Sequence, residues 1–340
     1  MTDGFRIDTR LVGRGAPCFV IAEVGINHGG NEEVAAEMVR ASAAAGADAV
    51  KLQTGDADES YAPGTASHAE FKGKELSPEA HIRLRELASS LGIVLFSTPA
   101  DFPSLDLCVE AGLPAIKVSS GLLTNTPLLR RCAAAARPLV VSTGMAGIAE
   151  IDAAVDTMRE AGCEDFALLQ CTSLYPAPAD TLNLCAMDTL RARYGHPVGY
   201  SDHYDGALAS VAAVALGAEL IEKHFTLDRR IPGADHALSL EPDDFARMVR
   251  EIRAVEAMRG DGTKQPTPEE LRLKEERHRC LHTRHDLEAG AVLAEDDIAL
   301  MRPLPGDAGL PPNAFDEVIG KRLARAVPRA RPITHDDLVP

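Results

Sequence analysis

Carboxylates, lysines, hydroxyls and histidines recur at the ends of apolar, strand-length runs in this 340-residue sequence. Glu23 lies in the run 18–25 (CFVIAEVG), which continues into Asn27-His28-Gly29-Gly30. Lys51 and Gln53 belong to ADAVKLQT (47–54), Ser97 and Thr98 to GIVLFSTP (92–99), and Lys117, Ser119 and Ser120 to PAIKVSS (114–120). Ser142, Thr143 and Gly144 close the next run, then come Gln170, Thr172 and Ser173, then Ser201, Asp202 and His203, and finally Glu222, Lys223 and His224. An ammonium inside an apolar run needs an anion nearby. Lys51 and Lys117, with Ser and Thr hydroxyls at neighbouring run ends, suit a phosphate and a carboxylate; ion pairing to Glu23 or Glu222 is the other reading. His203 and His224 end consecutive runs. With carboxylates close by they suit a divalent cation such as Mn²⁺, water and substrate oxygens filling the open positions, or else form a hydrogen-bonded pair of core histidines.

The elements that must position these groups follow from periodicity. The apolar runs at 18–25, 47–54, 92–99, 114–120, 138–144, 166–173, 197–202 and 218–225 are nearly unbroken, as in strands buried on both faces. Helical patterns separate them. Thr126 followed by Pro127 reads as an N-cap, with Leu128, Leu129, Cys132 and Ala136 on one face. Ile148, Ile151, Val155 and Met158 form a second stripe closed by Gly162, and Glu241-Pro242 opens a helix burying Phe245, Met248, Val249, Ile252 and Val255. The pattern near 184–194 is the weakest. Eight strand-then-helix units predict an α/β fold, a (β/α)8 TIM barrel over residues 1–260, in preference to a doubly wound open sheet. A barrel gathers strand-end residues at one mouth. The segment 5–12 (FRIDTRLV) alternates and suits a hairpin plugging one barrel end, and the long connection 54–80 suits a lid, a binding loop or a mobile segment. Residues 261–279 are polar, a linker with a helical turn or two; 280–340 read as a small β-rich domain of short strands and turns. No internal repeat is evident.

Composition excludes several classes. A net charge of −16 argues against a nucleic-acid partner. Seven cysteines without paired spacing read as reduced thiols in a cytoplasmic protein. No run reaches the ~18 apolar residues of a membrane span, and there is no secretory leader pattern at the N-terminus.

The strings IAEVGINHGG (21–30), VKLQT (50–54), FSTP (96–99), IKVSSG (116–121), VVSTGMA (140–146), YPAP (175–178), GYSDH (199–203), EKHFT (222–226) and PGADHALSLEP (232–242) closely resemble the N-acylneuraminate (sialic acid) synthase family. The tail, LHTRHDLEAGAVLAEDDIALMRP followed by VIGKRLARAVPRARPITHDDL, resembles that family's antifreeze-like (SAF) domain. The resemblance implies condensation of phosphoenolpyruvate with N-acetylmannosamine or a related aldehyde sugar, releasing phosphate. It implies Mn²⁺, or another divalent metal such as Mg²⁺ or Co²⁺, and a domain-swapped homodimer whose SAF domain covers the partner's barrel mouth. By motif match, Lys51, Thr98, Lys117, Ser120, Ser173 and Ser201 would hold phosphoenolpyruvate. His203 and His224 would hold the metal and Glu23 would be the acid/base carboxylate. Gln53, Tyr175 and Asp235 would face the acceptor, and Arg302 would reach over from the partner subunit's SAF domain.

Two positions depart from the family pattern. Leu122 stands where many members carry a carboxylate near the sugar, and Ser173 stands at the Asn of the CTN-type motif. Both leave the acceptor open: a diacetamido-trideoxyhexose or a nucleoside or antibiotic precursor is the alternative to N-acetylmannosamine. A non-catalytic sugar- or anion-binding barrel with an interaction module is the reading from a different class.

Overall fold

A computed structural model describes residues 4–233 and 235–340, and the chain divides into two compact units, Met1–Gly260 and Asp261–Pro340. In the first unit the strands β1 (Gly4–Ile7) and β2 (Arg10–Gly13) form an antiparallel hairpin. Eight parallel strands follow: β3 (Phe19–Gly25), β4 (Ala49–Thr54), β5 (Val94–Pro99), β6 (Ile116–Val118), β7 (Leu139–Ser142), β8 (Phe166–Cys171), β9 (Val198–Asp202) and β10 (Leu220–His224). They close into a barrel in which β10 pairs with both β3 and β9. The expected closed α/β barrel is thus observed.

Alternation along the strands explains how the barrel becomes a site. Side chains of one parity point into the bore, and successive inward positions form layers. Ile21, Ala49, Phe96, Ala115, Val140, Leu169 and Leu220 form part of one buried apolar cluster, joined by Phe5, Ile7 and Val12 of the hairpin. The hairpin therefore seals the bore, as its alternation predicts. Gly199 supplies this layer's β9 member without a side chain; a Cβ there would collide with the Leu220 carbonyl and lie 2.8 Å from Leu169 Cδ2. Two positions further along the same strands stand Glu23, Lys51, Thr98, Lys117, Ser142, Cys171, Ser201 and Glu222. The apolar floor keeps water from below, and the polar layer rests on it.

Helices cover the outside, and their ends are set by local chemistry. Asn31 caps Glu32–Ala44, Ser77 caps Pro78–Ser90 and Asp101 caps Phe102–Glu110, each through a side-chain acceptor. Three details differ from the sequence expectation. The cap of Thr126–Ala134 is Asn125, which accepts from Leu128 N, while Thr126 is already helical. Ala136 falls beyond that helix with φ 53° and is exposed. Ile148 begins its helix at 39% exposure, leaving Ile151, Val155 and Met158 to make the buried stripe. The weakly patterned helix does form, as Ala186–Tyr194, closed by Gly195 in the left-handed region that a glycine enters without a Cβ penalty. The long connection after β4 holds two short helices, Ala57–Ser60 and Ala66–Phe71.

In the second unit the polar stretch contains a ten-residue helix, Pro268–Arg277, longer than the turn or two expected. Its start is a reciprocal capping box: Thr267 Oγ1 accepts from Glu270 N, and the Glu270 carboxylate accepts from Thr267 N. Beyond it β11 (Cys280–Thr283) pairs antiparallel with β12 (Ile298–Met301) around a core that includes Leu281, Leu287, Leu293, Val318, Leu323 and Ile333. Contrary to the sequence reading, this unit holds a short internal repeat. The 3-10 turns Glu295–Asp297 and His335–Asp337 are closed alike, by Asp297 accepting from Ala294 N and Asp337 from Thr334 N. The segments leading to them bridge each other at Leu287 and Val327. Identical residues are too few along the two halves for the repeat to stand out before the backbone is seen. Among the described residues no helix is long and apolar enough to cross a membrane.

Candidate active site

The polar layer lines a cavity of about 510 Å³ in the barrel unit. Strand register sets its geometry: Glu23 lies beside both Lys51 and His224, and Glu222 beside Ser201. Lys51 Nζ sits 2.8 Å from Glu23 Oε2 and 3.8 Å from Glu222 Oε2, and it donates to Thr98 Oγ1 at 3.0 Å. Lys117 Nζ donates to Ser142 Oγ at 2.7 Å and to the Val118 carbonyl at 3.2 Å, with Glu222 Oε1 at 3.6 Å. Ser201 Oγ donates to that same Glu222 oxygen at 3.0 Å, and Gln53 Nε2 donates to Glu23 Oε1 at 3.0 Å. The ion-pair reading of the lysines is observed, and both lysines also line the cavity.

Burial dominates the protonation of this cluster. It pushes the Glu23 carboxyl above the usual carboxylate range; Lys51 opposes the rise and Glu222 adds to it. It holds the Lys117 ammonium below its ordinary value, with Glu222 opposing and Lys51 reinforcing the drop. Glu222 goes the other way: burial resists ionisation, but Lys117 and Lys51 together keep its carboxylate below the usual range. An incoming dianion would relieve the repulsion between the two ammonium groups, and Glu23 is the carboxyl readiest to hold a proton.

His203 and His224 stand with ring centroids 5.3 Å apart. Burial, then the neighbouring His203, keeps His224 well below its ordinary value, so the ring is neutral. Its Nδ1 has no hydrogen-bond partner and faces Asp235 Oδ2 at 3.4 Å. His203 Nδ1 lies 2.7 Å from the Thr172 carbonyl, which assigns the hydrogen to Nδ1 and leaves the Nε2 lone pair free. Burial opposes charge on His203, but the Cys171 thiol and the Thr172 carbonyl outweigh it and raise its value, so this ring takes a proton more readily than His224. Among the described residues no three His, Cys, Asp or Glu side chains group as a ready metal site. Two imidazole donors, one of them an orphaned buried nitrogen, fit a divalent cation that completes its shell with water and substrate oxygens.

The other expected positions distribute as follows. Ser120 Oγ accepts from Gly144 N at 3.0 Å, and Ser173 and Tyr175 line the cavity. The Tyr175 ring lies 4.1 Å from that of His203, centroid to centroid. Asp235 is held through its backbone N–H by Asn27 Oδ1 at 3.2 Å. Arg302 is an exposed residue of the second unit, just after β12. Sequence reasoning named Glu222, the carboxylate that both lysines approach, as an ion-pair partner but gave it no catalytic or binding role, and it gave Asn27 none either. It gave Gly144 no role beyond closing its run. A Cβ there would collide with Ser173 Oγ and lie 2.7 Å from Ser120 Oγ and 3.2 Å from Cys171 Sγ. Gly144→Ala is expected to weaken anion binding about tenfold through displaced serines, with thermal stability little changed. Titration of the variant with phosphoenolpyruvate checks this, and parent-like affinity would show that the serines do not touch the ligand.

The NeuB family pattern matches residues 38–264 and the SAF domain pattern residues 278–339. An uncharacterized protein of Methanocaldococcus jannaschii is 43% identical over 88% of this chain and 88% of its own. The N,N'-diacetyllegionaminic acid synthase of Legionella pneumophila is 40% identical over 92% of each chain. The crystal structure of the N-acetylneuraminic acid (sialic acid) synthetase of Leptospira borgpetersenii superposes with a TM-score of 0.76 at 33% identity, covering 81% of this chain and 97% of that one. The chain is an enzyme of the nonulosonic acid synthase class, a TIM barrel followed by a SAF domain. It belongs to the NeuB family.

Proposed function

We propose that this enzyme condenses phosphoenolpyruvate with an N-acylated aldehyde sugar to a 3-deoxy-2-keto acid of the nonulosonic type, releasing phosphate. The observation that carries the reading is the convergence of Lys51 and Lys117 on Glu222, at 3.8 and 3.6 Å, within one cavity whose rim supplies Thr98, Ser120, Ser142, Ser173 and Ser201 hydroxyls. Two buried ammonium groups and a ring of hydroxyls suit a small ligand bearing both a phosphate and a carboxylate. Held there, C3 of the enol attacks the aldehyde carbon and forms the C–C bond. Water adds at C2, and breakage of the C2–O bond expels inorganic phosphate and leaves the 2-keto group. Glu23 moves the proton that this addition and breakage require, its raised value suiting it to hold and return one near neutral pH. His203 and His224 would hold a divalent cation, Mn²⁺ by preference, which when bound supplies Lewis-acid stabilisation for the aldehyde oxygen. A homodimer in which Arg302 of the partner subunit approaches the acceptor belongs to the same reading.

The acceptor reading rests on the outer wall of the cavity, where Tyr61, Phe71, Leu122, Met145 and Tyr175 stand. With Leu122 in place of a carboxylate, this wall suits an acceptor whose distal carbons carry acetamido and methyl groups in place of hydroxyls. A diacetamido-trideoxyhexose fits it better than N-acetylmannosamine, in line with the 40% identity to a diacetyllegionaminic acid synthase. Phosphate release from phosphoenolpyruvate with Mn²⁺ and each sugar tests this. A kcat/KM at least about tenfold higher for the diacetamido sugar is expected. Release with N-acetylmannosamine alone would overturn the acceptor assignment, and release with no sugar would overturn the condensation itself.

A further inference from the structure

Directly behind the two histidines lies a charged pair that the chemistry above does not use. Asp202 and Lys223 are opposed in the β9–β10 register, fully buried, with Lys223 Nζ 3.2 Å from Asp202 Oδ2. Each precedes a histidine in sequence, Asp202 before His203 and Lys223 before His224. Because strand residues alternate, they point away from the bore, into the packing between strands and outer helices. Ser210 Oγ, from the helix Leu208–Ala215, donates to Asp202 Oδ2 at 2.6 Å, and Tyr204 N donates to Asp202 Oδ1 at 2.8 Å. Lys223 Nζ also donates to the Tyr204 carbonyl. Both the N–H and the carbonyl of Tyr204, the residue after His203, are therefore tied to this pair. The strand bearing His224 holds the turn bearing His203.

We propose that Asp202 and Lys223 are positioning residues that fix the separation of the His203 and His224 imidazoles and so preorganise the cation site. The proposal rests on the reading that these two rings hold a divalent cation. A buried ion pair adds little net stability over apolar residues of the same volume, whereas its directional bonds fix backbone geometry. Here the bonds end on the peptide groups flanking one ligand and on the strand carrying the other. Metal sites lose affinity when such outer partners are removed, typically by about 10–100-fold.

The test uses the full-length protein and the double variant Asp202→Asn with Lys223→Met, which removes both charges together, strands neither, and keeps an oxygen acceptor at position 202. Two quantities are read: Co²⁺ affinity, by titration followed in visible absorption, and the ¹⁵N-imidazole signals of His203 and His224 in metal-free protein at fixed pH. We expect displaced signals for both rings and Co²⁺ affinity reduced about 10–100-fold, with phosphoenolpyruvate affinity changed less than about threefold because Lys51 and Lys117 stand on other strands. Ser210→Ala, a milder change, should move the same two imidazole signals less. Unmoved signals and parent-like Co²⁺ affinity in either folded variant would overturn the proposal. A parent that binds no Co²⁺ would overturn the cation reading instead, and the imidazole signals would still decide whether the pair positions the rings.

Discussion

Glu23→Gln is expected to lower kcat by about 10²–10⁴-fold, the usual contribution of a positioned acid/base group, while KM for phosphoenolpyruvate moves by less than about threefold. The amide keeps the shape of the carboxyl and can still accept from Gln53 or Lys51, whose atoms lie 3.0 and 2.8 Å from the carboxylate oxygens. What it loses is the titrating proton. Burial raises the Glu23 value and Lys51 restrains it, so the group titrates above an ordinary carboxylate and its basic form is lost at a higher pH than usual. The acid limb of the parent's kcat profile should accordingly lie above the ordinary glutamate range and vanish in Glu23→Gln. Near-parent turnover would remove Glu23 from the chemistry.

The second large effect separates the lysines. Lys51→Met and Lys117→Met should each raise KM for phosphoenolpyruvate at least about 30-fold, since each would remove the buried charge-assisted contact proposed for the dianion. Their stabilities should differ. Lys51 is 2.8 Å from Glu23, and its loss strands a fully buried carboxylate, at a cost of about 3–5 kcal/mol. Lys117 bonds to a hydroxyl and a carbonyl and reaches Glu222 only at 3.6 Å, while Glu222 keeps Ser201 and Lys51. Lys117→Met should therefore be markedly the milder of the two in chemical denaturation, because the Glu222 carboxylate it leaves behind still has Ser201 and Lys51. Equal losses would contradict the pairing described.

The barrel was legible because unbroken apolar runs separated by capped helical stripes have few other solutions; Lys51 and Lys117 stood out because charge inside such runs demands a partner, and His203 and His224 because they end consecutive runs. Glu222 was harder to read. It shares its run with Lys223 and His224, and only the β9–β10 register shows that Glu222 points into the bore while Lys223 points out. The role of Gly144, which closes its run, was unreadable for another reason: an absent side chain makes no pattern, and its meaning lies in the space that Ser120, Ser173 and Cys171 occupy around it. The Asn125 cap and the exposed Ile148 show the ordinary slippage of helix ends by a residue. The repeat in the second unit rests on backbone geometry, Ala330 holding a φ of 60° where Gly290 has 83°.

In the proposed reaction the cavity formed by Lys51, Lys117, Glu23 and Glu222 breaks the C–O bond of phosphoenolpyruvate as C3 joins an aldehyde. Phosphoenolpyruvate labelled with ¹⁸O at the bridging oxygen tests it most directly, with the diacetamido-trideoxyhexose as acceptor. One labelled phosphate is expected for each 3-deoxy-2-keto acid formed, the label wholly in the phosphate. Label retained in the organic product, or phosphate released without a new C–C bond, would contradict it.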